Sequence, residues 1–277
     1  MERLLKKTSP SLVLVEGDTN GVLATALAAV KLGILVGHVE AGLRSFDLRM
    51  PEEHNRRLTD HISAYLFAPT TTAENNLKKE NVWGRIYLTG NTVIDAVYQY
   101  LPIAEKKSKI MHNIPFEKFI LATTHRAENI DNFIVLKNFV EAFIESPIPV
   151  VYPLHPRAKK RLRQYGLYSK VKKSKNIRIL QPLGYLDFLV LMKRCEMIVT
   201  DSGGIQEEAT APCIRKPVLV IRLSTERLEA VKAGFAEVIG VEKREILDAI
   251  KRNMGKAEKL PQHHLTEMET PQKISLK

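Results

Sequence analysis

Asp18 and Glu40 each follow a short apolar run, and Glu52 stands directly behind Pro51 at the start of a helical pattern. Carboxylates so placed can take or give a proton, and His125, whose type changes charge near neutrality, adds a fourth such group. Glu52 also fits a plainer part, because an acid in a first helical turn suits the helix dipole. Arg44, Arg126, Arg222 and Arg227 offer forked donors of the kind that grip a diphosphate. Asp201-Ser202-Gly203-Gly204 opens a helical pattern after a buried run. Glycines there let the backbone approach a phosphate, and free N–H groups at a helix start attract anions. The same four residues also read as an ordinary Ser202 N-cap on a tight turn. Glu208, further along that helix, is spaced to reach a pair of ribose hydroxyls.

These residues need elements to carry them, and the chain supplies a regular set. Leu12–Val15, Ile34–Val39, Tyr65–Ala68 and Arg85–Leu88 read as strands, with helical spacing at Val22–Leu32, Glu52–Ile62, Thr72–Glu80 and Thr92–Lys106. Their apolar runs are nearly continuous, the pattern of strands buried on both faces of a parallel sheet. Lys106–Lys118 loses periodicity, carries Pro115 and reads as a linker. A second series follows at Phe119–Thr123, Val150–Tyr152, Ile177–Leu180, Met197–Thr200, Pro217–Ile221 and Glu237–Ile239, with helices such as Phe133–Ile144 and Leu186–Arg194 between. The expectation is an α/β protein of two doubly wound domains, 1–107 and 118–252, followed by a polar tail, 253–277. Ligands of open parallel sheets bind beyond the carboxyl ends of the strands, and six such ends here carry polar clusters.

Composition narrows the classes. The 277 residues are 44% hydrophobic, ordinary for a globular protein, and no apolar run reaches the length of a membrane span. Lys and Arg exceed Asp and Glu by 42 to 31, which permits phosphorylated partners. The densest basic stretch, Arg157–Lys175, has no aromatic residues interleaved as a single-strand groove would need, and reads as a solvated helix with its following loop. Nucleic acid and membrane are therefore not expected partners. Cys195 and Cys213 read as small buried hydrophobes, too few for a metal cluster or disulfide framework, and a reducing cytoplasm is expected. His263 and His264 lie in the polar tail, where a solvated role outweighs a metal. Neither a Gly-x-x-x-x-Gly-Lys-Ser/Thr loop nor a Gly-x-Gly-x-x-Gly after a strand is present, which disfavours ATPases and nicotinamide dehydrogenases.

The motifs occur in a telling order. Glu16-Gly17-Asp18-Thr19, Gly37-His38-Val39-Glu40-Ala41-Gly42-Leu43-Arg44 and Pro51-Glu52-Glu53-x-Asn55-Arg56 come first. Thr89-Gly90-Asn91-Thr92, His125-Arg126-x-Glu128-Asn129 and Tyr152-Pro153-Leu154-His155 follow, then Asp201-Ser202-Gly203-Gly204-Ile205-Gln206-Glu207-Glu208 and Thr225-Glu226-Arg227. The set strongly resembles the non-hydrolysing UDP-N-acetylglucosamine 2-epimerases. That resemblance implies a GT-B-like fold with a nucleotide sugar between two Rossmann-type domains, a homodimer, and a part in cell-surface polysaccharide synthesis. It implies interconversion of UDP-GlcNAc and UDP-ManNAc without cofactor or metal, through elimination of UDP to a 2-acetamidoglucal and re-addition. By resemblance Asp18, Glu40, Glu52 and His125 are catalytic. Arg44, Ser202, Gly203, Gly204, Glu208 and Arg222 hold the nucleotide sugar, and Arg126 with His155 correspond to groups touching a second, activating UDP-GlcNAc in bacterial members.

The chain departs from the family pattern at its start. The family's opening strand, its Gly-Thr-Arg-Pro-Glu type loop and at least two βα units, at roughly 30 residues per βαβ step, have no counterpart before Leu12. The expectation is an incomplete first domain with Leu12–Val15 on an apolar sheet edge. The family's Asn-Pro-x-Gly-Asp-Gly segment is absent near the other end. Ala127, Leu223 and Leu228 replace the usual Arg, Asp and Pro, and Pro212-Cys213-Ile214-Arg215 differs from the common form. Two other readings therefore stand beside the epimerase: a catalytically silent remnant that binds a UDP-sugar or a partner, and a GT-B glycosyltransferase.

Overall fold

The computed structural model describes residues 1–256 and Leu260. The chain divides into two compact units, one running from Met1 to Thr92 and the other beginning at Val93.

In the first unit α1 (Glu2–Thr8) precedes β1 (Leu12–Glu16), α2 (Asn20–Lys31), β2 (Leu35–Val39), α3 (Pro51–Ile62), β3 (Tyr65–Ala68), α4 (Thr71–Lys79) and β4 (Arg85–Leu88). The strands are parallel and stand in chain order, β1-β2-β3-β4. Helix starts follow their capping residues: the Thr19 side chain accepts from the Val22 N–H, Thr70 from the Ala73 N–H, and Pro51 opens α3. α1 was not anticipated from the basic run at residues 1–9. It forms because Leu5 packs into the cluster of Val15, Ala26, Ala29 and Val36. Gly42, at φ 83°, lies so close to Ala73 that a Cβ would collide with the Ala73 carbonyl, so the loop after β2 seats directly on α4. β1 lies at the sheet edge as expected, with Leu14 62% exposed.

The second unit carries most of α5 (Thr92–Lys107) and a 3-10 turn at Ile110–Asn113. Then come β5 (Ile120–Thr123), α6 (Ala127–Ile130), α7 (Phe133–Glu145), β6 (Val150–Pro153), α8 (Pro156–Gln164), α9 (Tyr168–Lys173) and β7 (Ile177–Leu180). α10 (Tyr185–Arg194), β8 (Met197–Thr200), α11 (Gly203–Glu208), β9 (Val218–Val220), α12 (Leu228–Lys232), β10 (Ala236–Val238) and α13 (Lys243–Asn253) complete it. Its six parallel strands are ordered β10-β9-β8-β5-β6-β7. Counted from β5, that is the doubly wound order 3-2-1-4-5-6, and the direction of winding reverses between β5 and β8. β5, β6, β8 and β9 are apolar almost throughout because both faces are covered, so periodicity marked them but could not orient them.

The helices expected from spacing are present within two residues of their bounds. The basic stretch Arg157–Lys175 forms α8 and α9, and Asp131 takes both Arg157 and Arg161. The polar region before Asn253 contains α13, whose Ile246, Ala249 and Ile250 enter the core against α7. Asn253, where the tail was expected to begin, is the buried last residue of that helix. His263, His264 and Pro271 lie outside the described residues. Cys195 is buried and Cys213 partly so, both as free thiols. No described helix is long and apolar enough to cross a membrane.

Candidate functional site

In the first unit the carboxyl ends of β1 and β2 carry Asp18 and Glu40. Asp18 Oδ2 accepts from Arg56 Nε and Nη2 at 3.2 and 3.0 Å, and Asn55 Nδ2 donates to the Asp18 carbonyl at 2.9 Å. Arg56 Nη1 is held by Glu53, one turn earlier on α3, and both side chains are buried. Glu53 also accepts from the Ser45 N–H and hydroxyl at 2.9 and 3.0 Å. Removing one member of such a buried pair typically costs about 3–5 kcal/mol, since the other charge is left uncompensated. Glu52, in the first turn of α3 beside Glu53, is half-buried. Glu40 sits at φ 67°, a left-handed backbone that a non-glycine residue adopts at a cost of about 1 kcal/mol or more.

Arg44 is only 1% exposed. Its Nη1 lies 2.8 Å from Asp60 Oδ2, and its Nε and Nη2 donate to Glu80 at 2.9 and 2.7 Å. The bond from Arg44 is the main reason the Glu80 carboxyl stays below the usual carboxylate range. Two carboxylates and, through Nη1 at 2.7 Å, the Leu43 carbonyl are thus the partners of this guanidinium.

In the second unit the centre is Asp201, at the end of β8. Its carboxylate accepts the His125 N–H at 3.0 Å, the Arg126 N–H at 3.0 Å and Asn129 Nδ2 at 3.1 Å. The His125 ring completes the set, with Nδ1 2.6 Å from Asp201 Oδ1 and its side chain 42% exposed. Burial alone would raise the Asp201 carboxyl, but the His125 ring and these N–H donors bring it below its ordinary range. This cluster stands at the β5/β8 reversal, where an open α/β sheet parts to admit a ligand.

Arg126 Nε donates to the Asp201 carbonyl at 3.1 Å, and its Nη2 lies 3.6 Å from Glu226. Glu226 also takes Arg222 Nη1 at 2.9 Å, and it abuts Gly203, where a Cβ would collide with Glu226 Oε1. Gly204 has nothing within 4 Å of a Cβ position. The Ser202 N–H donates to Thr200 Oγ1 at 3.0 Å, and the Ser202 side chain makes no capping bond to α11. His155 caps α8 through Nδ1, and its ring lies 6.4 Å from that of His125. Glu208 is pushed up to about 7 by burial, partly offset by hydrogen bonding to Tyr185, whose phenol is itself pushed up to about 12.

Asp201, His125, Arg126, Gly203, Arg222 and Glu226 are therefore one connected network, with Glu208 at the far end of α11. His38, Glu53, Asn55 and Arg56 stand in the sequence motifs without a role, and Asp60 and Tyr185 stand outside them; in the fold Glu53, Asn55 and Arg56 surround Asp18, His38 bonds Asp60, and Tyr185 stands beside Glu208. Glu53 and Arg56 carried a usable signal, because opposite charges three apart share a helix face. Among the described residues no group of three His, Cys, Asp or Glu side chains could hold a metal ion.

Comparison with known proteins places the chain among relatives. The family profile described as UDP-N-acetylglucosamine 2-epimerase matches residues 1–273. The UDP-N-acetylglucosamine 2-epimerase of Methanocaldococcus jannaschii is 48% identical over 266 residues, which span 92% of this chain and 72% of that protein. The Escherichia coli K12 protein of the same name is 42% identical over 271 residues, 91% of this chain and 69% of its own. The crystal structure of the M. jannaschii enzyme in complex with UDP-GlcNAc and UDP superposes with a TM-score of 0.85, covering 91% of this chain and 71% of that one. The Neisseria meningitidis enzyme bound to UDP-GlcNAc gives 0.80 at 39% identity, over 91% and 70% of the two chains.

Proposed function

The chain belongs to the UDP-N-acetylglucosamine 2-epimerase family, and from that membership we propose that it interconverts UDP-GlcNAc and UDP-ManNAc by inverting C2 of the sugar. Its fold class is α/β of the GT-B type, built from Rossmann-like units. The observation that carries the reading is the likeness to the M. jannaschii structure that holds UDP-GlcNAc and UDP, extending over 91% of this chain at 48% identity.

The chemistry asked of the residues is specific. A carboxylate takes the C2 proton while the C1–O bond breaks and its electrons leave with UDP, giving 2-acetamidoglucal. UDP then adds back as a proton returns to the opposite face of C2. Asp18, Glu40 and Glu52 are the proton-handling carboxylates in this reading, and His125, held by Asp201, is the fourth catalytic group. Ser202 through its hydroxyl and Gly203 and Gly204 through their backbone N–H groups hold the diphosphate, whose leaving charge Arg222 and those donors stabilise. Glu208 accepts from the ribose hydroxyls. Arg44, buried between Asp60 and Glu80, serves substrate binding by holding its loop. Arg126 and His155 take a second UDP-GlcNAc, the enzyme works as a homodimer in the cytoplasm, and it uses neither cofactor nor metal.

Proton NMR of the purified chain with UDP-GlcNAc in deuterium oxide tests this directly. UDP-ManNAc carrying deuterium at C2 is the expected product. Free UDP and 2-acetamidoglucal alone would mean that elimination proceeds without re-addition. An unchanged spectrum from folded protein would overturn the catalytic reading in favour of a UDP-sugar-binding remnant.

A further inference from the structure

Two loops of the first unit carry candidate catalytic carboxylates, and one buried pair touches both. His38, inside β2, is fully buried, and so is Asp60, near the end of α3. His38 Nε2 lies 2.9 Å from the Gly17 carbonyl, immediately before Asp18. Its Nδ1 lies 2.6 Å from Asp60 Oδ1. The other oxygen of Asp60 accepts the Gly42 N–H at 3.1 Å, two residues after Glu40, and lies 2.8 Å from Arg44 Nη1. A carbonyl and a carboxylate both accept, so bonding both at once takes a donor N–H on each ring nitrogen of His38. Arg44 joins Asp60 to Glu80, which Arg57 and His61 also approach, at 3.3 and 3.6 Å.

We propose that the His38–Asp60 pair is a positioning device that sets the spacing of the Asp18 and Glu40 loops. The proposal rests on the reading of those two carboxylates as proton-handling groups. Gly17 and Gly42, the two residues the pair bonds, both adopt left-handed backbones, at φ 80° and 83°, so each loop turns sharply where the pair grips it. Each turn is tied to the next strand by one backbone bond, from the Gly17 N–H to the Val39 carbonyl at 3.2 Å and from the Ala41 N–H to the Phe67 carbonyl at 3.1 Å, and the pair adds His38 on the Gly17 carbonyl and Asp60 on the Gly42 N–H. A carboxylate displaced by about 1 Å from the reacting carbon loses on the order of a hundredfold in rate, which is what such a tether prevents. His38 and Asp60 act through the loops, without touching the reacting atoms.

The test compares His38→Leu and Asp60→Asn with Ile250→Ala, which removes a buried core side chain of α13 in the second unit and touches neither loop. In the full chain, kcat is expected to fall at least tenfold in the two tether variants with KM for UDP-GlcNAc within threefold. Ile250→Ala should keep kcat within threefold even if its melting temperature drops as far. Amide exchange at Gly42 should speed at least tenfold in Asp60→Asn, and at Gly17 in His38→Leu, but not in Ile250→Ala. Equal kcat losses in all three variants, or unchanged exchange at both glycines, would overturn the proposal. Nitrogen-15 NMR of the unmutated protein decides the matter even if the variants do not fold: two ring N–H signals for His38 are required, and a single one refutes it. Should the unmutated chain show no turnover, the catalytic reading fails, and the exchange and ring signals still judge the tether.

Discussion

Asp201 stands at the end of a strand and gathers N–H groups from the loop after the neighbouring strand, whereas Asp60 stands near the end of a helix and reaches two strand-end loops, one of them through His38. The difference follows from strand order. In the second unit the winding reverses between β5 and β8, so their loops part, and an acid on β8 can bond the β5 loop directly. In the first unit the four described strands follow chain order with no reversal. Loops there leave in the same sense, and the acid that joins them comes from the helix packed beneath. A parallel sheet can thus organise its carboxyl edge from within at a switch point, and elsewhere needs a helix to do it.

Removing the acids is the strongest way to break the comparison. Asp201→Ala leaves three N–H donors and the His125 ring without an acceptor, and Asp60→Ala leaves His38 and Arg44 facing one another. Each should lose roughly 3–5 kcal/mol in urea denaturation. A loss under about 1 kcal/mol in either would show that hub to be dispensable.

Protonation separates a hub from a substrate-facing acid. Asp201 is held below its ordinary range, so its stabilisation is present above about pH 4 and disappears as pH falls through its folded value. Glu208 is raised to about 7 by burial, so its contribution has the opposite sign, present below about pH 4.5 and lost as pH rises through 7. Thermal melts of Asp201→Asn and Glu208→Gln between pH 3 and 8 should flatten the acid and neutral limbs respectively. UDP affinity should strengthen through pH 7 in the unmutated protein and lose that dependence in Glu208→Gln, as calorimetric titration would read.

Two adjacent glycines give a finer contrast. Gly203→Ala drives a methyl group into Glu226 and should cost about 1–3 kcal/mol of stability. Gly204→Ala meets no protein atom, so stability should change by less than about 0.5 kcal/mol while the Kd for UDP rises several-fold. Unchanged UDP affinity in Gly204→Ala would remove Gly204 from the phosphate site. The smallest effect belongs to Leu14→Lys on the exposed edge, within about 0.5 kcal/mol, with less self-association by light scattering.

Much of this architecture was written locally. Tyr65–Ala68, Arg85–Leu88, Ile177–Leu180 and Met197–Thr200 are strands with the bounds their apolar runs suggested. α1 was not read because its helical stripe is short and charged, and only the Leu5 contacts reveal which face is inside. Arg44 shows the limit for the site. An arginine after a strand suits a diphosphate, yet the partners it has are Asp60 and Glu80, 16 and 36 residues away.

The sequence alone determined the strands, the strand-end positions of Asp18, Glu40, His125 and Asp201, and the family. Those depend on apolar runs, turn residues and motif order, all readable within a few neighbours. Only the tertiary structure decided that His38 joins Asp60 to Gly17, that Arg56 holds Asp18, and that burial lifts Glu208 to about 7. A side chain's charge partners and its loss of water are set by residues distant in the chain that packing brings within 3 Å.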